Sequence, residues 1–393
     1  MISVAETATL ILSKALALDV ERVPLASALH RVLREDIVAD LDSPRFDCSA
    51  MDGYALRTVD MAGRLRITGE IPAGHDSDLR IGSGECARIF TGGRVPSGAD
   101  RVVMQEDVEV EGEFIRIKGG SIATHVRRKG ENYRGGDVLV RAGQRLRAAE
   151  LATLANCGVS VPLVTRRARV VHFVTGDEVV APEQTPTGAQ VRDCNSILIS
   201  SLLAEQGARL VVQQLLGDSL EEQHDALAAQ DFDVAFISGG ASVGDYDFTR
   251  PVLKAAGFSI HAEKVNLRPG KPLVFATRGR QLAFGLPGNP VSHWVIFQLF
   301  LVPLFEKLRG CIARNAWRRG RFQKDFAAAP NARETYWPAS AEFEEGEYRL
   351  RPLRFVSSGD IAGLAGANAL VKIAPNRECI GETETADFLL CEP

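Results

Sequence analysis

No C-x-x-C pair occurs among the seven cysteines, which are scattered as Cys48, Cys86, Cys157, Cys194, Cys311, Cys379 and Cys391. An odd, dispersed set excludes a zinc ribbon and a disulfide framework, and fits the reducing cytoplasm. An excess of positive charge is also missing: the net charge is −4 and the pI about 6.1, so nucleic acid is not expected as a partner. A charged substrate must then be met by local groups. The chain has no G-x-x-x-x-G-K-S/T loop and no H-E-x-x-H pair among its seven histidines, which removes P-loop and zincin chemistry. Ser238 lacks the G-x-S-x-G surroundings of a nucleophilic serine. Internal repeats and low-complexity tracts are absent. The most apolar segment, 291–305, carries Ser292, His293 and Gln298 and falls short of the ~20 residues of a membrane span. It reads as a core helix, and no membrane association is expected. Glu6 within the first apolar stretch and the lack of a basic leader argue against a signal peptide.

What is present is a soluble-type composition over 393 residues, enough for about two to four domains. The most informative stretch runs from Asp233 to Arg250, where the apolar run Val234 to Ile237 empties into Ser238, Gly239, Gly240 and Gly244 with Asp245 and Asp247. A short unbroken apolar run predicts a strand covered on both faces. The glycines allow close backbone approach to a ligand, and a helix starting near Phe248 offers an N-terminus that favours an anion. Carboxylates beside an anion site conflict unless a cation lies between them, which points to Mg²⁺ with a phosphate or oxyanion. The alternative is a plain Gly-Gly turn and an Asp acting only as a helix cap.

Around this stretch, Val170–Val174, Leu210–Leu216 and Val234–Ile237 alternate with helical patterns, which predicts a doubly wound α/β unit. A hairpin of Leu273–Ala276 with Gln281–Phe284 extends it. Ser3-Val-Ala-Glu6 and Asp218-Ser-Leu-Glu221 have capping-box form, and Asn195 is placed to cap the helix through Glu205. Short β-like runs between Leu65 and Val140, and again beyond Asn315, predict small β domains on either side. The division is residues 1–165 with a β domain inserted at about 40–135, then 166–310, then 316–393. Ligands of open α/β sheets lie beyond the carboxyl ends of the strands. Three loops leave such ends here: Thr175-Gly-Asp-Glu178, the stretch from Ser238 to Asp247, and Gly285-Leu-Pro-Gly-Asn-Pro290, with Arg268 and Lys271 nearby. The basic run Arg127-Arg-Lys129 reads as a solvated face or a phosphate contact.

Six ordered blocks then carry a resemblance: Phe46 to Ala55, Ile89-Phe-Thr-Gly-Gly-Arg-Val-Pro96, Thr175-Gly-Asp-Glu178, Ser238-Gly-Gly-Ala-Ser-Val-Gly244, Arg268-Pro-Gly-Lys-Pro272 and Leu286-Pro-Gly-Asn-Pro-Val-Ser292. Over essentially the whole chain the sequence resembles the molybdopterin molybdenumtransferases of the MoeA family, which include the C-terminal part of gephyrin. The resemblance implies insertion of molybdenum from molybdate into adenylylated molybdopterin, with Mg²⁺ present and AMP released. It implies an elongated homodimer whose cleft is shared between subunits, and transient contact with the adenylyltransferase upstream and with recipient molybdoenzymes. By matching motif, the acting residues are Asp52, Glu178, Asp247 and Lys271. Substrate contacts fall on Thr91, Ser238, Gly239, Gly240, Ser242, Arg268, Pro287, Gly288 and Asn289, and metal contacts on Glu178, Asp245 and Asp247. Three positions depart from the family pattern: Asn132 where an acid is common, Arg268 where a lysine is common, and Trp337-Pro338 near a usual arginine. Alternative readings are a molybdopterin adenylyltransferase, a tungsten-specific paralogue and a gephyrin-like scaffold.

Overall fold

The computed structural model describes residues 1–119, 122–240, 248–311, 317–328, 330–382 and 384–391. The predicted site positions Ser242, Asp245 and Asp247 lie outside them. The chain opens on the expected capping box, in which the Glu6 N–H donates to Ser3 Oγ at 3.1 Å and the Ser3 N–H donates to Glu6 Oε2 at 2.8 Å. The helix Val4–Lys14 ends earlier than its apolar pattern suggests, because Ala15 turns extended and the Leu18 N–H donates to the Leu308 carbonyl.

The first large sheet is built from β1 (Gly53–Leu56), β2 (Arg64–Ile71), β3 (Glu85–Ile89), β4 (Arg101–Met104), β5 (Val108–Glu111) and β6 (Phe114–Ile117), in the order β4-β1-β3-β2-β6-β5. Its side chains alternate between two apolar layers: Tyr54, Leu56, Cys86 and Val103 on one side, Ala55, Ala87 and Val102 on the other. Only glycine fits at position 53, where a Cβ would stand 2.0 Å from the Val103 carbonyl oxygen.

The central sheet contains β7 (Arg169–Thr175), β8 (Arg209–Leu216), β9 (Val234–Ser238), β10 (Ser259–Ala262), β11 (Val274–Arg278) and β12 (Gln281–Leu286), in the order β8-β7-β9-β12-β11-β10. The first four positions pair in parallel and the edge is the antiparallel hairpin β11–β12 followed by β10. All five residues of β9 are buried, with Val234 and Phe236 in one apolar layer and Ala235 and Ile237 in the other. Neither expected cap acts as one: the first is replaced by a side chain two residues earlier and the second by the next residue. Helix Asn195–Glu205 is capped by Asp193, whose Oδ1 accepts from the Ser196 N–H at 2.9 Å, which leaves the Asn195 amide for another partner. Helix Leu220–Ala228 is capped by Ser219, which leaves Asp218 outside it.

The last helical segment, Pro290–Arg309, spans 20 residues and is longer than its sequence suggests, so length does not exclude a membrane span. Burial does the deciding: 83% of its most apolar window is packed inside the protein. A π-turn at Phe297–Leu301 re-phases it midway, consistent with the burial of all five of these residues. The third large sheet closes into a five-stranded barrel of β13 (Trp317–Phe322), β14 (Glu334–Glu344), β15 (Glu347–Pro352), β16 (Ala369–Ile373) and β17 (Thr385–Leu390), in the order β14-β15-β13-β17-β16 and back to β14. Phe322, Leu350, Val371 and Phe388 belong to its buried core. Two residues from the central region, Leu267–Arg268, pair in parallel with Glu334 and Thr335 of β14.

Candidate active site

A cavity of about 810 Å³ opens beyond the carboxyl ends of β7, β9 and β12, where the switch in strand order leaves a crevice. Its lining brings together Glu178, Ser238, Gly239, Gly240, Pro287, Gly288 and Asn289, seven of the positions expected from sequence. Pro272 also lines it; Lys271 is an exposed neighbour, and Arg268 stands in the strand that joins the barrel.

Beneath the Gly-Gly loop lies a buried polar relay that sequence did not reveal. Ser238 Oγ is 2.7 Å from His172 Nε2 and 2.9 Å from His293 Nε2, and Gln213 Nε2 is 2.9 Å from His172 Nδ1. An amide nitrogen only donates, so His172 accepts at Nδ1 and carries its proton on Nε2. That proton is donated to Ser238, whose own hydroxyl then donates to His293 Nε2. Burial pushes both imidazoles down to about 3, so both are neutral. Ser238, 1% exposed and held between them, supports the loop and is no nucleophile. The next residue is fixed as tightly. Gly239 has φ +107°, and a Cβ there would stand 2.5 Å from the Thr175 carbonyl oxygen, while the Thr249 hydroxyl donates to the Gly239 carbonyl at 3.1 Å.

Three further groups complete the lining. Asn195 Nδ2 donates to the Gly288 carbonyl at 2.8 Å and ties the third loop to a helix start. Asp218 stands beside Glu178 and Asp177, and its carboxyl is pushed up by burial and by the charges of those two acids. Gly359 comes from the C-terminal region, whose Ser358 carbonyl accepts from the Val291 N–H at 3.1 Å. The capping-box spacing at Asp218 hinted at a helix start but not at a cavity, and nothing local to Gly359 signals its role.

Crowded carboxylates at the rim suit a divalent cation. Mg²⁺ takes one or two carboxylates and completes its shell with water and substrate phosphate, so Glu178 and Asp218 fit such an ion. Among the described residues no three histidine, cysteine or acidic side chains form a complete ligand set.

Asp52 and Thr91 do meet, but away from this cavity: the Thr91 N–H and hydroxyl both donate to Asp52 Oδ1 at 2.8 Å, which holds that carboxyl below its usual range. The departing Asn132 is engaged too, accepting from Arg127 Nη2 at 2.7 Å and donating to Ser43 Oγ at 3.1 Å. The basic run is neutralised by Glu131, Asp47 and Asp42, which pair with Arg127, Arg128 and Lys129. Pro338 lies in barrel strand β14, and the Trp337 indole donates to the Leu353 carbonyl.

Three family profiles match the chain in order: "MoeA N-terminal region (domain I and II)" over residues 2–158, "Probable molybdopterin binding domain" over 172–307 and "MoeA C-terminal region (domain IV)" over 319–391. A molybdopterin molybdenumtransferase of Nostoc sp. is 36% identical, covering 98% of this chain and 91% of that protein. One from Staphylococcus aureus is 30% identical, over 94% of this chain and 91% of its own length. The crystal structure of a molybdopterin biosynthesis MoeA protein from Pyrococcus horikoshii OT3 superposes with a TM-score of 0.81 at 26% identity, covering 99% of this chain and all of that one. Matched from end to end in sequence and in fold, the chain belongs to the MoeA family of molybdopterin molybdenumtransferases and is a transferase of molybdenum cofactor biosynthesis.

Proposed function

We propose that the protein transfers molybdenum from molybdate to adenylylated molybdopterin and releases AMP at the cavity beyond β7, β9 and β12. The observation that carries this reading is the meeting of glycine-rich backbone with acids on one rim: Gly239, Gly240 and Gly288 face the same space as Glu178 and Asp218. The Gly239 N–H already donates to the Leu286 carbonyl at 3.0 Å, so the backbone donors for phosphate oxygens would be those of Gly240 and Gly288. Bound Mg²⁺ would neutralise charge developing on the leaving phosphate, with Glu178 and Asp218 as its carboxylates and Asp245 or Asp247 as further candidates. Lys271 and Arg268 supply positive charge for the anionic substrates, and Asn195 and the Ser238 relay hold the two loops in register. Its volume of about 810 Å³ lies in the upper part of the ~300–1,000 Å³ range of small-molecule sites, which suits a nucleotide-linked pterin.

The same reading makes the protein a cytoplasmic homodimer divided at residues 1–165, 166–310 and 316–393. Asp52 and Thr91 are absent from the cavity lining of their own chain, which favours a cleft completed by a second subunit. The adenylyltransferase and the recipient molybdoenzymes would meet it transiently. The decisive assay supplies purified protein with adenylylated molybdopterin, Mg²⁺ and molybdate. AMP release with formation of active cofactor supports the reading, whereas consumption of ATP with bare molybdopterin refutes it. Tungstate in place of molybdate reports the metal preference in the same format.

A further inference from the structure

The chain from Val191 to Asn195 also lines the large cavity, and it ties two of the cavity's loops together. The Val191 N–H donates to the Glu178 carbonyl at 2.9 Å and the Asp193 N–H to the Val180 carbonyl at 2.8 Å, while Asn195 reaches the Gly288 carbonyl. The backbone here is held on both sides, so the Asp193 side chain is placed by the fold and not by a free loop.

Asp193 is only 6% exposed, yet it is a carboxylate. Capping needs one acceptor oxygen, which asparagine or serine supplies equally well, and Oδ1 meets that need at the Ser196 N–H. Oδ2 receives no hydrogen bond among the described residues and is not sealed from solvent. Arg192, its neighbour in the lining, spends Nε on the Gln184 carbonyl, and among the described residues no lysine, arginine or histidine forms an ion pair with Asp193. The charge is felt by the adjacent thiol: burial and then Asp193 push Cys194 up, so it stays protonated. Asn195 adds a second unmet acceptor, because its Oδ1 is buried without a partner. A buried carboxylate with half of its acceptor capacity unused is costly unless a ligand donates to it.

We propose, resting on the function argued above, that Asp193 is the residue that reads the pterin ring, its Oδ2 accepting from the 2-amino and N3–H edge of the substrate. That edge presents adjacent N–H donors in one plane, the guanidinium-like pattern that pairs most strongly with a carboxylate. Adenine offers a single amino group flanked by ring acceptors, and phosphate and molybdate oxygens only accept, so neither the nucleotide base nor the oxyanions match this corner. Glu178 and Asp218 keep the role toward Mg²⁺ assigned to them above.

The test is fluorescence titration of pterin-6-ylmethyl phosphate and of its 2-oxo counterpart, a lumazine, against the full chain and its Asp193→Asn variant. Asparagine keeps the cap through its oxygen and puts an NH₂ donor in place of Oδ2, so the helix start stays intact. The variant should bind the pterin at least ~10-fold more weakly, the loss of one charge-assisted hydrogen bond, and should lose the wild type's preference for pterin over lumazine. AMP affinity should be unchanged, and turnover of adenylylated molybdopterin should show the loss in KM while kcat is kept. Equal pterin affinity in the two proteins, or no preference for pterin in the wild type, overturns the proposal. A matching loss of AMP affinity overturns it as well, since Asp193 would then meet ribose hydroxyls or its replacement would disturb the whole cavity. Failure of the AMP-release assay with pterin discrimination intact strikes the proposed reaction and leaves the ring assignment standing.

Discussion

Acidification should destabilise this protein more steeply than its surface charges alone would, and the relay beneath the Gly-Gly loop sets the size of the effect. His172 and His293 have ordinary values of 6.5 and are lowered to about 3 when folded. Between those limits the unfolded chain binds a proton at each histidine and the native protein does not, so stability falls as pH falls. Each group then withdraws about 1.4 kcal/mol per pH unit in the middle of the window, and nearer 1.2 between pH 6 and pH 5, where the unfolded imidazole is still partly neutral. The pair withdraws about 2.4 kcal/mol over that unit, a substantial part of a typical folding free energy of ~5–15 kcal/mol. Above about pH 7.5, where the unfolded imidazole is neutral as well, the contribution is complete and flat. Urea unfolding at pH 7, 6 and 5 measures it directly. Other titrating groups are subtracted by running His172→Gln in parallel: the variant begins from a different stability, but its loss between pH 6 and pH 5 should be smaller by about 1.2 kcal/mol. Identical losses in the two proteins would show that the native imidazole takes up its proton in place, and would refute the neutral relay.

Two further outcomes follow from the site itself. Asn132→Asp exchanges the amide that donates to Ser43 for a carboxylate that keeps the Arg127 bond; if the missing acid limits the enzyme, turnover rises, and an unchanged or lower rate shows the outer site rebuilt around the amide. For the shared cleft, Asp52→Asn and Asp247→Asn are each expected to lose at least ~10-fold in turnover, and mixing them with confirmed subunit exchange should regenerate one intact site per heterodimer. Heterodimers as inactive as their parents would place each site within a single chain.

The central sheet and its ligand edge could be read from residues in a row, because strand burial, turn chemistry and helix caps are local properties. Val234 to Ser238 is buried on both faces as its unbroken apolarity implies, and the first capping box is present atom for atom. Convergence from distant segments left no such trace. His172 is a core residue, as its place in a strand suggests, yet no periodicity shows that it shares a serine with His293. Asp218 and Gly359 enter the cavity through strand order and the docking of the C-terminal region, both tertiary facts. The basic run at Arg127 illustrates the same limit from the other side: its partners Asp47 and Asp42 lie far back along the chain, so its neutrality could not be counted locally.

The pairing of Leu267–Arg268 with Glu334 and Thr335 bears on how this chain can be cut and recombined. The barrel is closed on itself, which suggests a module that could be transplanted or expressed alone. Yet the strand that closes it also takes its neighbour from the central region, between β10 and β11. An excised barrel would carry an unpaired edge at Glu334 and Thr335, and the truncated remainder would lose the partner of the Arg268 turn together with the loop that brings Gly359 to the cavity. Chimaeras that exchange the C-terminal region between relatives must therefore exchange residues 266–272 with it, or they will separate two halves of one hydrogen-bonded seam.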